Sequence, residues 1–330
     1  AIGDFVLTLP AIKLLRDAYP QAQLEILGYK HIIALADRRF YADAVRSIEY
    51  GALASFFAKG AELPADLADY FASFDLVVSY LFDPDGIFET NLRRCGVEDI
   101  LTGSPKVNPD AHAAIQLAQP MLELGFCLRD PAAQLFLNPD DRAFGISALG
   151  SNATPIVAVH PGSGSTNKNW PVEKWRMLAQ LLLETGAAGS LLLIGGEADE
   201  QPLTVLREML PRDVVTIAEN LPLPQLAAML EGCALFIGHD SGISHIAAAA
   251  EIPCLLLFGP TDPAVWAPTN ASVRVLRGEA GDVAALDVGR VQKPHATCSR
   301  RGTLRADAHR HQNVEERRLD LQYAGTHLVD

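Results

Sequence analysis

The chain has 330 residues, more than one hydrophobic core usually organises, so two domains are expected. Hydrophobic types make up 49% and charged types 20% of it, the balance of a globular chain and not of a disordered one. The net charge of −13 divides into −8 over residues 1–150, −7 over 151–290 and +2 over 291–330, and an acidic body without a long basic stripe excludes nucleic acid as the main partner.

In chain order, Gly3-Asp4 reads as a turn that runs straight into a helical pattern at Val6, Leu9, Ile12 and Leu15. An α/β domain normally places a strand before such a turn, so about one strand is expected ahead of Ala1. Short strands are predicted at Gln23–Leu27 and Ala44–Ile48 and a buried one at Asp75–Tyr80, with helices between them. The stretch 138–155, rich in Pro, Gly, Ser, Asn and Asp, is the best linker candidate. Beyond it strands are predicted at 156–159, 190–194, 214–217, 234–237 and 254–258, alternating with helices at 172–184, 199–210, 224–231 and 243–250. The expected class is therefore α/β: two Rossmann-like domains, 1–150 and 151–290, facing an interdomain cleft, with residues 291–330 as an atypical tail.

Five scattered cysteines without a CxxC pair fit a reducing compartment. The most apolar windows, 178–195 and 246–258, are broken by Glu184, Gly186, Glu251 and Pro253, so no spanning helix is expected. No basic-then-apolar signal opens the chain, and the expectation is a cytoplasmic protein, compatible with peripheral contact at the inner face of the inner membrane. The tail carries His295, His309, His311 and His327, but no carboxylate or Cys stands at ligand spacing, and no metal or cofactor is expected.

Three segments carry chemistry. At Gly3-Asp4 a carboxylate stands at the mouth of a helix, able to take a proton from a substrate hydroxyl or simply to cap the helix. The run 160–171 (HPGSGSTNKNWP) joins a strand to a helix. Small residues there let the backbone approach a ligand, Ser163, Ser165 and Thr166 offer hydroxyls, and Lys168 offers a point charge, a set suited to a diphosphate. It is not a Walker A loop, and Trp170 and Trp175 read as packing residues. The run 238–245 (GHDSGISH) opens an Ala-rich helix whose first N–H groups favour an anion. There Asp240 reads as a cap or a ligand contact, and His245, one turn past Ser241, as a ligand contact or a buried imidazole. Asp83-Pro84-Asp85 looks like a DxD metal motif but is read as a turn.

Together these segments resemble glycosyltransferase family 9, the heptosyltransferases of lipopolysaccharide core assembly. The matching runs are Gly3–Pro20, His160–Trp175, Leu191–Glu200 and His239–Pro268, in that order. The resemblance implies a GT-B fold with an N-terminal acceptor domain and a C-terminal nucleotide-sugar domain. It implies Asp4 as catalytic base beside Gly3, and donor phosphates meeting Ser163, Gly164, Ser165, Lys168, Asp240, Ser241 and Gly242, with His245 also in the donor site. Glu197 or Glu200 would hold the ribose. The activity implied is inverting, metal-independent transfer of a heptose from ADP-heptose to an anionic lipid-linked saccharide, whose charge Lys13, Arg16, Lys30, Arg38, Arg39 and Arg46 would answer if they are not ordinary surface. Relatives in that family close with a helix that crosses back to the first domain, and no run in 291–330 obviously matches it.

Two rival readings remain at this level. Gly238–Gly242 also resembles the nucleophile elbow of an α/β-hydrolase with Asp240 as nucleophile, and Asp262 with His295 or His309 as partners. The other is a nucleotide-sugar-binding protein without catalysis.

Overall fold

A computed structural model describes residues 1–196 and 199–292, which form a single compact unit. The tail histidines, Glu197 and the metal and hydrolase readings that used His295 or His309 lie outside the described residues. The first half runs α1 (Ile2–Ala18), β1 (Glu25–Gly28), α2 (Lys30–Ile33), β2 (Ala44–Ser47), α3 (Ala65–Ala72), β3 (Val77–Ser79), α4 (Ile87–Arg94), β4 (Ile100–Thr102) and α5 (Ala113–Leu117). Its strands form two separate parallel pairs, β1 with β2 and β3 with β4.

The second half opens on α6 (Pro139–Leu149) and continues β5 (Ile156–His160), α7 (Val172–Glu184), β6 (Ser190–Gly195), α8 (Glu200–Met209), β7 (Val215–Glu219) and α9 (Leu223–Glu231). It ends β8 (Leu235–His239), α10 (Gly242–Ala249), β9 (Cys254–Phe258), α11 (Pro263–Trp266), β10 (Val273–Arg277) and α12 (Val288–Gln292). The six strands make one parallel sheet in the order β10-β9-β8-β5-β6-β7. Every residue of β5, β6 and β9 is buried, because both sheet faces are covered by helices, and unbroken apolar runs are what such strands require.

The predicted linker is a correction. Residues 139–149 are helix α6, opened by a capping box in which Asn138 accepts the Asp141 N–H and the Asp141 carboxylate accepts the Asn138 N–H. Gly145 lets this helix lie on α9: a Cβ there would stand 2.5 Å from the Ala228 carbonyl oxygen. Apolar residues from both halves, among them Val6, Leu9, Tyr41, Ile156, Ala158 and Phe236, share one core.

Several first-half cations are structural. Arg39 forms a fork on Asp141 at 2.7 to 2.9 Å with both side chains about nine-tenths buried. Arg16 bonds Asp43 and two carbonyls, Arg46 stacks on Tyr70 beside Glu25, and Lys13 pairs with Asp17. Lys30 and Arg38 stay exposed. Arg39→Ala would strand the Asp141 carboxylate at the start of α6. Such a loss typically costs about 3 kcal/mol, to be read as a lowered midpoint in urea unfolding.

Candidate active site

The sheet order fixes where a ligand can sit. From β5 the chain winds outward through β6 and β7, then returns to the other side of β5 with β8 and continues to β9 and β10. The β5–β8 seam is the topological switch point, and the crevice beyond the strand ends there is the usual ligand site of open α/β sheets. The loop after β5 (His160–Asn169) and the turn after β8 (His239–Ser241) therefore meet by construction. His239 joins them: its Nε2 accepts the Trp170 N–H at 2.8 Å, so its Nδ1 carries the hydrogen and donates to the Gly162 carbonyl at 3.1 Å. Burial holds this imidazole down to about pKa 4.

A cavity of about 500 Å³ opens on this crevice. It is lined by the polar Ser163, Gly164, Ser241 and Gly242, by the apolar Ile194, Ala218, Leu221 and Leu226, and from the first half by Gly3, His31 and Ile32. Ser241 is the N-cap of α10, its Oγ accepting the Ser244 N–H, so a helix start with unspent N–H groups lies at the cavity wall. Asp240 is thus not the cap. Its Oδ2 receives the Lys168 ammonium at 2.6 Å and the Thr261 hydroxyl at 2.6 Å. Ser163 turns inward: its Oγ lies 2.7 Å from Asn169 Oδ1 and 2.8 Å from the Ser165 carbonyl oxygen, shaping the loop.

The start of α1 lies on the start of α10. A Cβ on Gly242 would come within 2.6 Å of Ile2, and one on Gly3 within 3.3 Å of the His245 ring, so both contacts need glycine or near-glycine backbones. Asp4 follows directly, in the third helical position instead of the cap, with a half-exposed carboxylate. His245 is buried next to this junction. Burial pulls its pKa down to about 4, and Asp240, His112, Asp4 and Lys168 all stand within electrostatic reach of it. Asp4, Lys168, Asp240 and His245 are therefore one cluster beside the cavity.

The acidic candidates separate. Glu200 is exposed at the first position of α8 and does not line the cavity, whereas Asp199, which the sequence reading passed over, does. Asp199 Oδ2 accepts the Gly196 N–H at 3.0 Å and lies 3.2 Å from His160 Nε2, while His160 Nδ1 lies 3.4 Å from Ser241 Oγ. Burial works to raise the Asp199 pKa, but the His160 hydrogen bond and charge pairing outweigh it and the net shift is downward. Thr261 belongs to the Pro260–Pro263 turn after β9, which the sequence places on the same side of the cleft, and its hydroxyl bonds Asp240 there. The turn reading of Asp83 holds: its two oxygens accept the Ile87 and Glu89 N–H groups at the start of α4. Asp262 is occupied in the same way, accepting the Ala264 N–H at the start of α11, and Asp240 is neutralised by Lys168, an arrangement unlike a hydrolase nucleophile. Trp170 and Trp175 are buried against each other edge to face.

Known proteins match this chain in sequence and in fold. The model of glycosyltransferase family 9 (heptosyltransferase) matches residues 105–294. Lipooligosaccharide heptosyltransferase 2 of Haemophilus influenzae is 29% identical over 140 residues, 41% of this chain and 40% of that protein, so the aligned chain spans well under half of this relative. The crystal structure of the glycosyl transferase family 9 from Veillonella parvula superposes with a TM-score of 0.71 at 18% identity, over 90% of this chain and 94% of that one. Escherichia coli heptosyltransferase WaaC with ADP gives 0.68 at 18%, over 91% and 97%. The shared architecture is the GT-B fold, as expected from the sequence.

The two buried imidazoles make the fold acid-sensitive. Unfolded histidines take protons near pH 6.5, while His239 and His245 resist until about 4, so between these values the unfolded chain binds more protons and falling pH favours it. The thermal midpoint should be flat above pH 7 and fall steadily from pH 6.5 to 4.5, a loss that a His239→Gln, His245→Gln double variant would flatten.

Proposed function

This chain belongs to glycosyltransferase family 9, and from that premise we propose that it is an inverting heptosyltransferase, moving a heptose from ADP-heptose to an anionic, lipid-linked lipopolysaccharide core saccharide. The observation that carries this reading is the junction of α1 with α10, which sets a half-exposed carboxylate beside an anion-binding helix start and a lysine. In this reading residues 1–150 hold the acceptor and 151–290 the donor.

Asp4 acts as general base, taking the acceptor hydroxyl's proton as its oxygen attacks the anomeric carbon. One displacement with one base inverts that centre. Negative charge grows on the departing ADP, where Lys168 and the N–H groups of Gly242 and its neighbours receive it. Preorganised donors of this kind are worth about 3 kcal/mol each in the barrier. The diphosphate lies against the polar lining of the cavity, at Ser163, Gly164, Ser165 and the Ser241-Gly242 turn, and the nucleoside extends toward the apolar lining. Lys30 and Arg38 are the first-half cations left exposed for the acceptor's charge. No helix of the described residues is long and apolar enough to cross a membrane. In this reading the lipid end of the acceptor is met by peripheral contact from the cytoplasmic side.

Asp4→Ala should retain ADP binding by calorimetry while transfer falls by about 10²- to 10⁴-fold, the usual contribution of a general base. Parent-like turnover would remove Asp4 from the chemistry. Lys168→Ala removes a charge-assisted bond and leaves Asp240 facing the phosphates, so ADP affinity should fall about tenfold or more. Unchanged affinity would place the diphosphate elsewhere.

A further inference from the structure

A second cavity, of about 290 Å³, opens in the first half between the loops that leave the carboxyl ends of β3 and β4. Ligands of open α/β sheets usually sit outside such strand ends, and this cavity shares no residue with the crevice at the β5–β8 seam. Its apolar lining is Leu81, Phe88, Leu92 and Ile100. Phe88 is buried, and Phe56, Phe57 and Phe71 hold its ring at centroid distances of 5.1 to 6.3 Å, so the lining is fixed before any ligand arrives.

Most of the polar lining is already engaged. Asp83 gives its two oxygens to the Ile87 and Glu89 N–H groups, and Glu89 Oε1 accepts the Arg93 guanidinium at 2.9 and 3.1 Å. Ser104 Oγ accepts the Lys106 N–H at 3.1 Å, which shapes the loop after β4. The Thr102 hydroxyl makes no hydrogen bond among the described residues, and neither does the Lys106 ammonium, which also has no carboxylate partner there. That ammonium rests 4.4 Å from the centroid of the Phe82 ring, which lines the cavity. The contrast is with Lys168, whose charge Asp240 cancels. An aromatic face orders an ammonium but leaves its charge unspent. Asp85, on the turn beyond Asp83, is exposed and does not line the cavity.

We infer that this cavity is a subsite for one ring of an anionic saccharide, with its carboxylate or phosphate on Lys106 and Phe82 as the positioning residue for that ammonium. The inference rests on the acceptor role proposed for residues 1–150, and it names what that half selects. A space of about 290 Å³ is at the small end of small-molecule sites, enough for a ring and not for an extended chain. A pyranose has C–H faces and a hydroxyl rim: the faces lie on Leu81 and Phe88, and Thr102 meets the rim. The wall of the subsite is packed to the helix that carries Asp4. Tyr80, just before the Phe82 loop, donates to the Leu117 carbonyl at 2.6 Å, and Leu117 shares a cluster with Leu7, three residues past Asp4.

The test is NMR titration of the whole chain, with ADP present to occupy the donor crevice, using methyl glucoside, methyl glucuronide and glucose 6-phosphate. At least one of the two anionic sugars should bind about tenfold tighter than the neutral one, the worth of one charge-assisted bond, and the tighter of the two tells carboxylate from phosphate. Lys106→Ala should remove that preference and leave the neutral sugar unchanged. Phe82→Leu, which keeps an apolar side chain without an aromatic face, should lose part of it. Both side chains are exposed, so neither variant endangers the fold. Equal binding of charged and neutral sugars, no binding of any of the three, or a preference that survives Lys106→Ala overturns the subsite. A preference that depends on Lys106, without transfer from ADP-heptose to any lipid-linked saccharide, keeps the subsite and overturns the heptosyltransferase reading. Transfer by Lys106→Ala with the parent's KM for the saccharide does the reverse.

Discussion

The site depends on one backbone contact, the start of α1 laid against the start of α10. Gly242 has no room for a larger residue, because a Cβ there would stand 2.6 Å from Ile2, and at Gly3 a Cβ would press on the His245 ring at 3.3 Å. That closeness converts two helix starts from opposite halves into a single surface. It sets the Asp4 carboxylate one residue from a turn that attracts anions. It also explains why His245 is buried, since it is the packing surface for Gly3, and why burial outweighs nearby Asp240 and Asp4 in keeping it neutral.

Charge around the turn is arranged by mutual restraint. An anion site at a helix start needs positive potential, yet Asp240 stands directly before that start. Lys168 and Thr261 both bond the same Asp240 oxygen, which removes the repulsion and fixes the ammonium at the cleft edge. An unpaired lysine on an exposed loop would have to be ordered by the ligand, at a cost of about 1 to 2 kcal/mol of side-chain entropy. Held by Asp240, it is ordered beforehand.

The second half was readable because its strands are buried on both faces and therefore written as unbroken apolar runs, as in 190–195 and 254–258. Strands β4 and β10 escaped notice: the first spans three residues, and the second, at the sheet edge, alternates apolar with Arg274 and Arg277. The run 138–149 misled because its Asn, Pro and Asp residues are both turn formers and the best opening of a helix. Only the partner surface on α9, invisible to local pattern, decides between them. At the site, loops rich in Gly and Ser announced themselves by composition, and the place of Asp4 came from the family pattern. Glu197 and Glu200 were both candidates and Asp199 was passed over because all three follow the same strand, and it is the pair of bonds between Gly196 and Asp199 that turns the Asp199 side chain inward.

The Asp199 carboxylate also shows how the loops around the crevice constrain each other. Gly162 belongs to the loop after β5 and Asp199 to the loop after β6, and the missing Cβ of one is the space occupied by the carboxylate of the other. His239, from β8, then accepts the Trp170 N–H and donates to the Gly162 carbonyl, so its ring spans both ends of the loop after β5. Three loops from three adjacent strands are thus locked by two imidazoles and one carboxylate, all removed from water. A substitution at any of them should be felt at the others, because in so closely packed an interior a displaced polar group finds no solvent to satisfy it. Shape and charge in the crevice are for this reason inseparable: the imidazoles and the carboxylate that set its charge are the same groups that hold its loops in place.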